Sequence, residues 1–130
     1  MTVVVGYMPT APGHAALDAA ILEAGRRGTD LVVVQPRPSR RHRPEEVVED
    51  IDVERDRLAR SGLRYQLREP DHDSDPADVI LDTAREHGAE LIVLGIRRRS
   101  PVGKIIMAST AQRVLLESPC PVLCVKAVYD

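Results

Sequence analysis

The chain of 130 residues has no phenylalanine and no tryptophan, and its aromatics are three tyrosines. A core without large rings must be aliphatic, built from Val, Leu, Ile and Ala. Single-stranded nucleic acid is read largely by stacking bases on aromatic side chains, so that function class has little material here. Cysteine is scarce as well. Cys120 and Cys124 have no His or Cys cluster beside them, and their spacing offers no zinc framework. Two thiols in a reducing compartment are the simpler reading. A large net charge is also missing: 18 Lys and Arg face 20 Asp and Glu, a formal charge of −2 at pH 7. That gives no general pull toward nucleic acid or an anionic membrane. No apolar run approaches the length of a membrane span. The opening "MTVVVGYMP" has no basic stretch before its short apolar run, so it reads as a strand and not as a signal peptide. The expectation is a cytoplasmic protein with one domain over residues 1–130.

What is present is an ordinary globular composition, 43% hydrophobic and 29% charged. "TVVVGY" is a short β-branched run. "HAALDAAILEAGRRG" follows with Ala16, Leu17, Ala20, Ile21 and Ala24 on one side of a 3.6-residue period, and Gly28 as its stop. "DLVVVQ" is a continuous apolar strand. "RPSRRHRP", Arg37 to Pro44, is a basic loop and the one segment read as flexible. "EEVVEDIDVERDRLARSG" is a charged helix with a thin stripe of Val47, Val48, Ile51 and Leu58. "LRYQLRE" alternates and suits a sheet edge. "DSDPADVILDTAREHG" is a helix with Asp75 as its cap, Pro76 at its first position and Gly88 past its last turn. "AELIVLG" is another apolar strand that breaks at Gly95. A helix near Ser109 to Leu116 and a last strand from Val122 to about Val128 complete the chain.

This β-α alternation predicts an α/β fold of three layers, α/β/α, around an open five-stranded parallel sheet. The polar strand from Arg64 to Glu69 is the natural edge, and Val3–Val5 and Leu91–Leu94 are natural centre strands. In such sheets a ligand sits beyond the carboxyl ends of the strands, where the strand order reverses. With the first and fourth strands adjacent, the loops Gly6–His14 and Gly95–Ser109 meet there, with Gln35 and Pro36 beside them.

The second of these loops carries Arg97, Arg98, Arg99 and Lys104 within eight residues and hydroxyls at Ser100, Ser109 and Thr110. Ser109 and Thr110 open a helix, and the free N–H groups of a helix start attract anions. Arginine matches phosphate geometry. A loop that only joins two elements, with Ser109 as a plain cap, explains the same residues. The first loop is neither GxGxxG nor GxxxxGK[ST]. His14 reads as a solvent-facing or capping residue, and His42, His72 and His87 carry no assigned role. Asp71, Asp73, Asp75 and Asp78 lack the calcium-loop pattern. No general base, catalytic triad or metal cage stands out, so the expectation is a binding protein, with weak ATP hydrolysis as the most that an enzyme reading allows.

Taken in order, "VVVGY…AALDAA", "DPADVILDTAREHGAELIVLG" and "TAQRVLLESPCPVLCVK" resemble a single-domain universal stress protein over nearly the whole chain. The resemblance implies a Rossmann-like sheet of strand order 3-2-1-4-5. It implies a site for ATP, with magnesium, or for AMP. The glycine signature of nucleotide-binding members is Gly, two residues, Gly, nine residues, Gly, then Ser or Thr. It falls here on Gly95, Arg98, Ala108 and Ser109, so the second and third glycines are replaced. The acidic residue that these members carry after the first strand is here Met8, the small hydroxyl two places on is kept as Thr10, and the base-contacting position falls near Gln35 or Pro36. The candidate site is thus Gly95, Arg97, Arg98, Ala108, Ser109, Thr110, Met8, Thr10 and Pro36. Arg98 brings charge where a glycine would let amides wrap a phosphate. Met8 is a weak acceptor where a carboxylate would bind a ribose or base. Two functions stay open: a stress-response module that binds adenine nucleotide, and a dimeric regulatory protein that binds none. The family's habit of pairing through the last strand implies a homodimer through Val122–Val128. Neither a membrane nor a nucleic-acid partner is expected, "RPSRRHR" being readable as a solvated loop.

Overall fold

A computed structural model describes residues 1–7, 11–35, 51–69, 74–96 and 109–126; among them five strands alternate with four helices. They are β1 (Thr2–Gly6), α1 (Ala11–Arg27), β2 (Asp30–Val34), α2 (Ile51–Arg60), β3 (Tyr65–Arg68), α3 (Pro76–Glu86), β4 (Ala89–Ile96), α4 (Ser109–Glu117) and β5 (Val122–Lys126). The strands form one parallel sheet in the order β3-β2-β1-β4-β5, the order that the family resemblance implies. The polar strand β3 is an edge and β1 is the centre.

Burial explains why β1, β2 and β4 read as unbroken apolar runs. Val3, Val4 and Val5 are all fully buried, because helices cover both faces of the sheet. One face carries Val3, Val5, Tyr7, Leu31, Val33, Leu91 and Val93, packed on Ala16, Leu17, Ala20 and Ala24 of α1 and on Leu58 of α2. The other carries Val4, Val32, Val34, Ile92 and Leu94, packed on Ala77, Ile80, Leu81 and Ala84 of α3 and on Ala111 and Val114 of α4. The small residues of α1 let that helix lie close to the sheet, and the missing aromatic volume is supplied by aliphatic side chains meeting at short range.

The helix ends follow local chemistry. Asp75 caps α3 by accepting a hydrogen bond from the Ala77 N–H at 2.9 Å, and Pro76 opens the helix. Gly28 and Gly88, with φ of 64° and 58°, close α1 and α3 in the left-handed region that glycine enters without strain. Two boundaries differ from the sequence reading. Helix α1 starts at Ala11, three residues before His14, since a proline early in a helix loses no hydrogen bond and has its φ preset. Strand β4 does not break at Gly95: it pairs Gly95 with Val125 and Ile96 with Lys126 before ending. Of the stripe of the charged helix, Leu58 is 1% exposed; Val47 and Val48, like the loop Arg37–Pro44, and the side chain of Ile51 lie outside what the structure describes. No helix among the described residues is long and apolar enough to cross a membrane.

Candidate functional site

The order of strands reverses between β1 and β4: the chain moves outward from β1 through β2 to β3, then returns to β4 and continues to β5. Their carboxyl ends lie side by side, Gly6 opposite Leu94 and Val34. The ends of β1, β2 and β3 are laced together. The Tyr7 N–H donates to the Val34 carbonyl at 2.8 Å, and the Gln35 N–H donates to the Arg68 carbonyl at 2.9 Å. The site predicted at this edge therefore has a fixed floor made of backbone.

Of the predicted residues, Gly95, Ser109 and Thr110 fall within the described part of the structure. Met8, Thr10, Pro36, Arg97, Arg98 and Ala108 lie outside it. Gly95 sits at the carboxyl end of β4, and Ser109 and Thr110 form the opening of α4, Ser109 exposed and Thr110 half-buried. The first turns of α1 and α4 contain no acidic residue. The first turn of α3 is different, for Asp75 caps it and Asp78 adds a second carboxylate. Helix starts carry partial positive charge and unpaired N–H groups. At α3 the protein's own carboxylates answer that charge. At α1 and α4, which flank the switch point, no acidic side chain of the first turn does so.

Gly95 has a role that the sequence did not reveal. A methyl group built on it would overlap the carbonyl oxygen of Pro12 and lie 2.5 Å from the Pro12 carbonyl carbon and 3.0 Å from its Cβ. The glycine is needed so that the first turn of α1 can rest on the end of β4. It is not needed for a left-handed turn, since the positive φ angles among the described residues belong to Gly28, Gly62 and Gly88. Gly6 is similarly crowded: an added Cβ would lie 2.9 Å from Ile80 Cδ1 and 3.0 Å from Leu94 Cδ2.

Tyr7 and His14 were missed as a pair. Tyr7 is fully buried at the end of β1, and His14, in the first turn of α1, meets it edge-on with ring centroids 5.7 Å apart and planes at 73°. His14 is half-buried, so the solvent-facing reading of this residue is corrected: the early start of α1 turns it onto the sheet. His87, by contrast, closes α3, its N–H donating to the Thr83 carbonyl at 3.1 Å.

Gln35 is the other informative residue. Its side-chain carbonyl oxygen is buried and accepts no hydrogen bond among the described residues. Thr29 and Thr83 hydroxyls share that condition, but Thr29 precedes β2 and Thr83 lies within α3. Gln35 stands just past the carboxyl end of β2, beside the switch point. A buried amide acceptor without a partner costs roughly 1–3 kcal/mol, so a donor placed there would be rewarded. In the sequence it showed as a polar residue closing an apolar strand, and the family resemblance put the base-contacting position near it or Pro36.

Charge around α4 is organised by Arg113. Its guanidinium pairs with Asp75 at 3.1 Å, with Asp78, and with Glu117 at 2.8 Å. These contacts, with Asp78 first and Glu117 next, hold the guanidinium still more firmly protonated than usual. Cys120 and Cys124 are free thiols, and partial burial pushes the Cys124 thiol up from its ordinary value. Among the described residues no group of three or more His, Cys, Asp or Glu could hold a metal ion.

Comparison with known proteins bears on this geometry. The sequence model of the universal stress protein family matches residues 1–126. A universal stress protein of Mycolicibacterium smegmatis is 39% identical over 129 residues, covering 95% of this chain and 96% of that protein. The solved structure of a universal stress protein from Archaeoglobus fulgidus superposes with a TM-score of 0.74 at 33% identity, covering 97% of this chain and 98% of the other. A universal stress protein from the same organism, solved in complex with dAMP, superposes with a TM-score of 0.64 at 26% identity, over 97% and 98% of the two chains.

Proposed function

The chain belongs to the universal stress protein family, and we propose that within it this protein is a binding module for an adenine nucleotide, AMP or ATP, held at the carboxyl ends of β1 and β4. The observation that carries this reading is the acid-free start of α4 at the switch point, set beside a buried acceptor at Gln35 that has no partner among the described residues. The first suits a phosphate and the second suits an N–H donor such as the amino group of adenine. The dAMP complex of a relative with the same fold supports a ligand of this class. In this reading the Ser109 and Thr110 hydroxyls and the first N–H groups of α4 hold the phosphate, with Arg97 and Arg98 supplying charge. The Thr10 loop and Pro36 flank the nucleoside, Gly95 and Ala108 let the chain pass, and Met8 contributes apolar contact. Among the described residues no group of three or more His, Cys, Asp or Glu could hold a metal ion, and no step is assigned to magnesium. Isothermal titration with AMP and with ATP, each with and without magnesium, tests the reading. Binding that AMP and ATP share at micromolar to millimolar Kd is expected, and no heat with either would overturn it.

One observation favours a second activity, self-association. β5 is an edge strand, and it leaves Leu123 37% exposed. Leu115 and Leu116, near the end of α4, are 40% and 87% exposed. An edge strand with apolar surface around it invites pairing with a second copy. We therefore assign the homodimer contact to the last strand, Val122–Val128, of which residues 127 and 128 lie outside the described structure. Sedimentation of Leu123→Lys beside the native chain tests it: a dimer that shifts to monomer in the variant supports the assignment, and a monomeric native chain refutes it.

A further inference from the structure

We propose that Arg113 is a positioning residue for the anion-binding end of α4, tying that helix to α3 and partly offsetting two carboxylates that would otherwise repel a phosphate more strongly. The inference rests on the nucleotide reading above, and it concerns a residue outside the predicted site.

Three features point to it. Arg113 lies four residues past Ser109, one helical turn, or about 6 Å along the axis. Its three guanidinium nitrogens engage three carboxylates: Nη1 reaches Asp75, Nη2 reaches Asp78 and Nε donates to Glu117 at 2.8 Å. Asp75 does two tasks at once, since Oδ1 accepts from the Ala77 N–H at 2.9 Å while Oδ2 takes Arg113 at 3.1 Å. The cap of α3 and the first turns of α4 are thereby joined through a single carboxylate.

The partners are half-exposed, the Arg113 side chain at 38% and Asp75 and Asp78 at 50% and 51%. Ion pairs at such exposure add little to global stability. Their effect lies in placement and in charge. Without Arg113, Asp75 and Asp78 would stand as free negative charges next to α4, within the range over which charges are felt at low salt. Those fields oppose the positive end of α4, which suits a phosphate. Lysine could not do the same, because a point charge lacks the planar fork that reaches separate carboxylates at once.

The test compares native protein, Arg113→Gln and the triple variant Arg113→Gln, Asp75→Asn, Asp78→Asn. Asn caps a helix as well as Asp, so α3 keeps its start. With AMP as probe at low salt, Arg113→Gln is expected to bind about three- to tenfold more weakly, the gap closing near 0.5 M salt as screening removes the repulsion. The triple variant is expected to recover to within about twofold of the native chain, as the repelling charges are gone. Equal affinity of Arg113→Gln and native protein overturns the inference, and a loss that persists at high salt and in the triple variant overturns its electrostatic part. A second readout needs no nucleotide: amide order parameters at Ser109–Gln112 fall in ligand-free Arg113→Gln, and unchanged values overturn the tether. If the native chain binds no AMP, the nucleotide reading fails and the tether is judged on these order parameters.

Discussion

Gly95, in β4, lies directly against the backbone of Pro12 in the first turn of α1, with no room between them for a side chain. This contact places the start of one helix on the strand that leads to the start of another. It makes Gly95 a packing residue at the base of the site before it is anything else. Gly95→Ala is expected to destabilise the fold by about 1–3 kcal/mol, the cost of forcing a methyl against a rigid backbone. Urea unfolding measures it, and a loss below about 0.5 kcal/mol would show that α1 can simply slide.

Gly25 predicts the opposite sign. It lies inside α1, is exposed, and an added Cβ would meet nothing within 4 Å. Gly25→Ala should stabilise the protein by about 0.5–1 kcal/mol through helix propensity and a less disordered unfolded chain. The same denaturant series reports it.

Leu58 anchors α2 to the core shared with α1, at 1% exposure. Leu58→Ala should cost about 2–4 kcal/mol. Thermal melts followed by circular dichroism give the result. A change under 1 kcal/mol would mean that the helix packs through other residues.

A pH effect follows from Arg68 and Glu86. The guanidinium of Arg68 bonds Glu86 at 2.8 Å and holds its carboxyl below the ordinary carboxylate range. A depressed carboxyl pKa adds stability that is present above the unfolded value, about 4.3, and is lost as the pH falls through the folded value. Arg68→Gln should therefore flatten the loss of stability below pH 4.5 and leave the alkaline side unchanged. The pair is exposed, so the shift in melting temperature is expected to be small, and melts between pH 3 and 7 resolve it.

The alternation of strand and helix, the edge character of β3 and the cap at Asp75 were legible because each rests on local chemistry: apolar runs, alternation, and a short carboxylate ahead of a proline. The strand order was supplied by family resemblance and is matched by the pairing of β1 with both β2 and β4. Three features escaped. The Gly95–Pro12 contact joins residues 83 positions apart, and nothing local to either residue announces it. The Tyr7–His14 pair depended on α1 beginning at Ala11. The Arg113 cluster joins an arginine to carboxylates 35 and 38 positions earlier, and only the packing of α3 beside α4 brings them together. In the candidate site, Gly95 lies near the end of β4 and Ser109 and Thr110 open α4, and the environment of Gln35 became visible only when the strand ends were assembled.

The central claim is that a nucleotide phosphate rests on the start of α4 while the base meets the end of β2. Backbone and side-chain amide shifts of labelled protein during titration with AMP test it most directly. The account predicts saturable shifts at Ser109, Thr110, Ala111 and Gly95 together with the Gln35 side-chain amide, and little change in β3. Shifts confined to other regions, or none at millimolar AMP and low salt, would contradict it.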